Sequence, residues 1–494
     1  EAVEDIPGTA LYEGIDWQWT TFPEYLDFVG SRPKAINVAV MIGHGPVRTY
    51  CMGERASLSD RPGGPVDNPV TDEEIKDMAK VVGEAVEAGA IGFSTSRLLL
   101  HRDKHGILTP GCLAAEKELL AISKGMAEAG GGVFEMSVDF STYDDILVNK
   151  QNVGLMLAHM ENTWSWMKKI SNTKTGFGIP VSYSFAAGGN SKGYRDGLRR
   201  MQRAKEEGCN ITGQTFIRPQ GMLFGWFTRT HPFSECTTFR TLRARHAAKE
   251  DLAQVLQLPE TKKAILSEAV AEAGAGKFSK KIRPMLGGPD SIYRWHESYE
   301  PAHMKTVNVE ARERGMDALE LVYDAMCQDG CNGTLWRPLF GADGDGTLNG
   351  AREILTSEHT VPGIGDAGAH VSMMTDGASA THLLRYWVCD RQVGEQIPLE
   401  LAVKKVTYDG ARLFGIEDRG TLETGMRADV NVINMDELRL HCPQHLHDLP
   451  TGAPRWSQCV SGYDFTICNG MVIWEGGVPT GALPGELIRN PRVA

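Results

Sequence analysis

Thr71-Asp-Glu-Glu-Ile-Lys-Asp-Met-Ala-Lys-Val-Val-Gly-Glu-Ala-Val-Glu-Ala-Gly-Ala-Ile-Gly-Phe-Ser-Thr95 is the stretch whose reading decides the fold. Thr71 and Glu74 stand at the spacing of a capping box, which satisfies orphan amides at a helix start. Ile75, Met78, Ala79, Val82 and Val86 follow at helical spacing and form one apolar stripe. Gly89 takes the place just past the helix, where a left-handed residue ends it. Residues 90–95 then read as a short buried strand. Upstream, residues 35–42 are a mostly apolar run closed by Gly43, which supplies the opening strand of a strand–helix–strand unit.

The unit repeats along the chain. Helices over 115–129, 163–170 and 194–207 lead into strands over 133–140, 179–185 and 210–217, and a last strand covers 361–366. Strands alternating with helices predict a parallel α/β architecture. With 36–43 and 90–95 the count is six. A (β/α)8 TIM-type barrel needs eight strands, while an open doubly wound sheet is complete with six, so the count leaves both architectures open. No G-x-G-x-x-G turn and no Walker A loop offers a phosphate cradle. Residues 230–360 are less regular, with helices expected at 250–256, 261–273 and 309–326, and read as a helical insertion or lid. After a helix over 399–414, Phe465-Thr-Ile-Cys-Asn-Gly-Met-Val-Ile-Trp474 is a hairpin around an Asn-Gly turn. The expected organisation is therefore a barrel over 1–415, interrupted by 230–360, and part of a small β domain over 416–494.

Composition narrows the class of function. The 494 residues carry 51 Lys and Arg against 63 Asp and Glu, a net charge of −12. That balance argues against a nucleic-acid or anionic-membrane surface. With 41% hydrophobic and 23% charged residues, the composition is ordinary for a soluble globular enzyme and argues against wholesale disorder; a small-molecule substrate is the partner expected. No apolar run approaches the ~18–20 residues of a membrane span. The ten cysteines are scattered and show no zinc-finger spacing, which makes a reducing cytoplasm the expected compartment. The chain opens on Glu1 without a signal peptide, and the missing Met points to a fragment or a processed form.

Ala39-Val-Met-Ile-Gly-His-Gly-Pro-Val-Arg48, Glu87-Ala-Gly-Ala-Ile-Gly-Phe-Ser-Thr95, Gly363-Ile-Gly-Asp-Ala-Gly-Ala-His370 and Gly420-Thr-Leu-Glu-Thr-Gly-Met-Arg-Ala-Asp429 stand in this order. So do Asp448-Leu-Pro-Thr-Gly452 and Gly477-Val-Pro-Thr-Gly-Ala-Leu-Pro-Gly485 near the end. Together they resemble the D-aminoacylase branch of the metal-dependent amidohydrolase superfamily, the N-acyl-D-amino-acid deacylases. The resemblance implies a TIM barrel with a small β-sandwich built from both chain ends. It also implies about 80–90 further residues ahead of Glu4-Asp-Ile-Pro-Gly8, carrying the first two of the eight strands.

The implied activity is hydrolysis of a C–N amide bond in an N-acyl-D-amino acid or similar N-acyl compound. One or two divalent ions, zinc first, would activate water and polarise the carbonyl. Asp366 matches the family's metal-facing general base and acid, and His370 follows it as a second metal candidate. Arg218, Arg48 and His44 are the substrate-binding candidates, with Arg218 placed to pair a substrate carboxylate. A surface or core salt bridge is the competing reading of Arg218, and a hydrogen-bonded loop residue that of His44 and His370. The sequence departs from the family at two strand ends. Ser182-Tyr-Ser-Phe185 and Thr215-Phe-Ile-Arg-Pro219 stand where relatives carry histidines. His445-Leu-His447 has metal-ligand spacing but lies past the barrel, and reads as loop or surface histidines. A cyclic-amide or ureido substrate on the same fold, and an inactive truncated remnant, are the alternative readings.

Overall fold

The structure is a computed structural model that describes residues 5–58, 69–98, 101–103, 105–137, 153–187, 193–246, 248–365 and 368–493. The deciding stretch folds as read. The Thr71 hydroxyl accepts a hydrogen bond from the Glu74 amide, the Glu74 carboxylate accepts one from the Thr71 amide, and the helix runs over Asp72–Glu87. Ile75, Met78, Val82 and Val86 are buried on one side of it. Gly89 has φ +111°, and a side chain there would collide with Arg489.

Six parallel strands form one sheet: β1 (Ile42–Gly43), β2 (Gly92–Ser96), β3 (Val133–Ser137), β4 (Val181–Ser184), β5 (Ile211–Thr215) and β9 (Thr360–Pro362), paired in the order β1-β2-β3-β4-β5-β9. Register places Phe93, Phe134, Val181 and Ile211 in one row across the sheet. All four are buried with the helices Asp72–Glu87, Glu116–Glu128, Val153–Ser171 and Gly193–Glu206. The next row is Gly43, Ser94, Glu135, Ser182 and Thr212, which alternation turns to the opposite face. Ser94, Ser96, Glu135, Ser137, Ser184 and Thr212 on that face are all partly exposed. Toward its other end that face carries Val133 and Val361, buried against Leu413, and a face filled at one end and polar at the other fits a barrel wall. Among the described residues the wall has two edges, β1 and β9.

The expected strand over 36–43 is shorter than read, because only Ile42 and Gly43 join the ladder. The residues before it pair with the chain's end. The Val38 amide donates to the Glu486 carbonyl (2.9 Å) and the Ile488 amide to the Val38 carbonyl (2.7 Å). Backbone groups satisfied by the tail are not free to extend the sheet. Residue 366 and residues 138–140, the ends of two expected strands, lie outside the described residues.

Between β5 and β9 the chain builds a second core. β6 (Gln220–Phe224), β7 (Tyr293–Arg294) and β8 (Leu335–Phe340) form an antiparallel sheet in the order β6-β8-β7. Trp226, Phe233, Phe239, Leu256, Ile265 and Tyr323 are buried beside it. The helix expected over 309–326 is two helices, Val307–Arg314 and one that starts at Ala318. Gly315 at φ +65° ends the first, and the Asp317 carboxylate caps the second through the Leu319 amide (2.8 Å). The C-terminal strands β10 (Val430–Ile433), β15 (Tyr463–Cys468), β16 (Met471–Glu475) and β17 (Val478–Pro479) form a four-stranded antiparallel sheet. Its β15–β16 turn has Asn469 at φ +48° and Gly470 at +80°, the positive pair an Asn-Gly turn permits. β12 (Gln444–Leu449) and β13 (Ala453–Ser457) make a separate hairpin.

Candidate functional site

Barrel chemistry gathers at the carboxyl ends of the strands. β5 runs out through Thr215 into Arg218, which is 2% exposed. Its Nε donates to Asp376 Oδ1 (2.9 Å), Nη1 to Gln458 Oε1 (2.9 Å) and Nη2 to the Thr375 carbonyl (2.6 Å). The guanidinium also lies 4.1 Å over the Tyr299 ring. Every nitrogen is engaged, and the charge already faces a carboxylate. Beside it, His382 is fully buried, and desolvation with the Arg218 charge pushes its imidazole down to about 3. Neutral at ordinary pH, it donates through Nε2 to the Ser298 carbonyl (3.1 Å).

The turn that precedes Asp366 is fastened to this rim. The Gly363 amide donates to the Thr215 carbonyl (3.0 Å), and Gln220 Nε2 donates to the Ile364 carbonyl (2.8 Å). A side chain at 363 would press on the Gln214 side chain and require it to shift, so the glycine lets the turn lie close to β5. Asp366 itself lies outside the described residues. On the far side of it, His370 is partly exposed at φ +48°, and its carbonyl accepts from the Met373 and Met374 amides (2.9 Å each). Asp5 faces His370 and Arg229. Burial raises the Asp5 carboxyl, and those two charges oppose the rise.

His44 and Arg48 are placed elsewhere, at the end of β1 on the helix-covered side. His44 Nε2 and Glu118 Oε1 are 2.7 Å apart, and His44 Nδ1 and Thr95 Oγ1 2.8 Å. Arg48 donates from Nε to Glu118 Oε1 (2.8 Å) and from Nη2 to Oε2 (3.1 Å). His44, Arg48 and Glu118 are each no more than 2% exposed. Burial lowers the His44 pKa despite Glu118, so the ring is neutral. A neutral ring donates from Nε2 to Glu118 and accepts at Nδ1 from the Thr95 hydroxyl. Burial raises the Glu118 carboxyl, but its bonds from His44 and the Arg48 charge outweigh that and hold it below the ordinary range.

Three residues here escape a sequence reading. Glu118 looks like an ordinary first-turn acid of its helix. Its spacing of four to Ile122 and eight to Met126, both buried, was the signal that it points inward. Glu135 interrupts the apolar Phe134 and Met136, as expected of a residue on the polar face of a half-buried strand. Asp376 has no local signal, because its partner Arg218 is 158 residues away.

Donors for a metal were tested against these positions. Among the described residues no group of three His, Cys, Asp or Glu side chains is placed to hold an ion. Register flanks Glu135 with Ser94 and Ser182. Asp366, a metal candidate of the sequence, lies outside the described residues and is not among those donors.

Residues 311–473 match the model of an amidohydrolase family. A D-aminoacylase of Alcaligenes xylosoxydans xylosoxydans is 29% identical over 125 residues, 25% of this chain and 22% of that protein. An uncharacterized protein of Mycobacterium bovis is 24% identical over 503 residues, 93% of this chain and 71% of that one. Two solved structures share the fold at 18% identity, each over 99% of this chain and 79% of theirs. One is a D-aminoacylase with a binuclear metal center, TM-score 0.56. The other is an N-acyl-D-glutamate deacylase of Bordetella bronchiseptica holding zinc and a phosphonate mimic of the tetrahedral intermediate, TM-score 0.54. The chain spans less than a quarter of the D-aminoacylase it matches in sequence.

Proposed function

We propose that the chain is a member of the D-aminoacylase branch of the amidohydrolase superfamily, a reading supported by the family match and the shared fold, and that it hydrolyses a carbon–nitrogen bond other than a peptide bond, in an N-acyl-D-amino acid or a similar N-acyl compound. Such a reaction needs an attacking water and a group that takes its proton and returns it to the departing amine. Asp366 is assigned that proton transfer. The observation that supports the reading is the fastening of residues 363 and 364 to the end of β5, the rim where barrel enzymes react. The reading supposes an eight-stranded ring, of which the described strands supply six.

Arg218 and the pair His44 and Arg48 act in this reading as positioning residues. Arg218 anchors residues 375 and 376, the far end of the segment that carries Asp366 and His370. His44 and Arg48 lock the end of β1 to Glu118 and thereby to the next helix. Asp366 and His370 are the residues that would hold a divalent ion, which would activate the attacking water and polarise the carbonyl. Among the described residues, no helix is long and apolar enough to cross a membrane.

The test is amine release from N-acetyl- and N-formyl-D-amino acids, with L-enantiomers and a cyclic imide alongside, each with and without added zinc. Release from the D-compounds is expected, and Asp366→Asn should lower turnover by about 10²–10⁴-fold at unchanged far-UV circular dichroism. Near-normal turnover in Asp366→Asn removes the proton-transfer role. Failure of the wild-type chain on every D-compound, with zinc supplied, removes the activity.

A further inference from the structure

A cleft of about 390 Å³ opens between the inserted helices and the β12–β13 hairpin, away from the parallel sheet. Its size falls in the ordinary range for small-molecule sites. Trp226 and Phe227 line one wall, and His445 and Trp456, cross-strand partners in the hairpin, line the other. The rings of His445 and Trp456 meet edge to face at 5.2 Å. Both ring nitrogens of His445 and the indole N–H of Trp456 are buried without a hydrogen-bond partner, and Trp456 is only 5% exposed. A native core pairs such groups as a rule, and each one left over carries a penalty of about 1–3 kcal/mol.

Lys249 lines the same cleft. Its ammonium lies 4.5 Å over the Phe227 ring, and among the described residues it makes no ion pair. Burial lowers its pKa, and the neighbouring Glu250 charge opposes the fall. Asp329 is on the lining too, but it is exposed and makes no ion pair there among the described residues. Aromatic walls select a flat apolar body. The unpaired ammonium, the indole N–H and a neutral imidazole select an acceptor that bears negative charge.

We propose that this cleft is a binding site for a small aromatic carboxylate, its ring between Phe227 and Trp456 and its carboxylate on Lys249. His445 turns a donor to the bound anion. The site is separate from the deacylase reading, and its test needs neither metal nor turnover.

Titration of the wild-type chain with indole-3-acetate and phenylacetate, read by tryptophan fluorescence and calorimetry, should saturate at millimolar concentration or below. Neutral indole should bind at least about ten-fold more weakly, the scale of one charge-assisted hydrogen bond. Lys249→Met should cost the carboxylates a similar factor and leave indole unchanged. Lys249→Gln, checked by circular dichroism, serves if the methionine variant does not fold. No saturation by either carboxylate at 10-fold higher concentration, equal binding of indole and indole-3-acetate, or unchanged affinity in a folded Lys249 variant each overturns the proposal.

Discussion

At the end of β1, Glu118 takes hydrogen bonds from His44 and Arg48, and the second nitrogen of His44 meets Thr95. In the cleft beside β12, the side-chain nitrogens of His445 and Trp456 take part in none among the described residues. Both places bury imidazole nitrogen, yet one is closed and the other open. The difference separates two uses of a buried polar group. A fully paired cluster fixes backbone and resists change, whereas an unpaired one keeps binding capacity for something else. By that measure His44, Arg48 and Arg218 belong to the frame of the molecule. Its open polar capacity lies in the cleft.

The largest expected effect tests whether the rim beside this frame is where the chemistry happens. Asp366→Asn should remove about 10²–10⁴-fold of turnover, while a change in the cleft, such as Lys249→Met, should leave turnover within about two-fold. Equal losses in the two variants would mean that the cleft is part of the reacting site, and the separation drawn above would fail.

Next in size is the closed cluster. Glu118→Gln removes the charge that Arg48 was buried against. An uncompensated buried charge costs about 3–5 kcal/mol. A fall of that size in the free energy of unfolding, from urea titration, is expected, and a loss below 1 kcal/mol would show that the cluster tolerates an unpaired arginine.

Acid should undo the frame in a defined direction. The folded pKa of His231 and of His382 is pushed down to about 3, and that of His445 to about 4, in each case chiefly by burial. The unfolded histidine titrates near 6.5. Between these values the unfolded chain binds protons that the folded chain refuses, so stability falls as pH drops below about 6.5. Each histidine contributes about 1.4 kcal/mol per pH unit until its own folded pKa is reached. Glu118, held low by its partners, adds to the loss in the same direction as pH falls through its folded pKa. Urea midpoints measured from pH 7 to pH 4.5 should decline steadily, and a flat profile would contradict the buried, neutral state of these rings.

How much of this was legible in the sequence depended on the range of the interaction. The capping box, the apolar stripe and the Asn469-Gly470 turn are set within a few residues, and the structure keeps them. The strand over 36–43 was misjudged because its partner is the segment around Glu486, which no local pattern announces. The same holds for Arg218. Its sequence position beside a barrel strand is correct, but Asp376, Gln458 and Tyr299 reach it from three distant segments. His445 read as a surface or loop histidine, since a histidine beyond the barrel and next to a polar turn gives no sign of a wall opposite. The structure puts it in a strand, partly buried, against the cleft.

The smallest effect sharpens the comparison most. His445→Phe keeps a flat ring against Trp456 and deletes two buried nitrogens that have no partner. Removing an unsatisfied group relieves its penalty, so stability should stay within about 1 kcal/mol of wild type or rise. His44→Phe makes the same chemical change at the closed cluster. There it strips a hydrogen bond from Glu118 and another from Thr95, and the loss should reach about 2–3 kcal/mol. Urea midpoints of the two variants, measured side by side, separate the cases. The cleft reading adds a second condition, because His445→Phe removes a donor to the bound anion and should weaken indole-3-acetate while the protein keeps its stability. A variant that loses as much stability as His44→Phe would show that His445 already has a structural partner, and the contrast between the two regions would disappear.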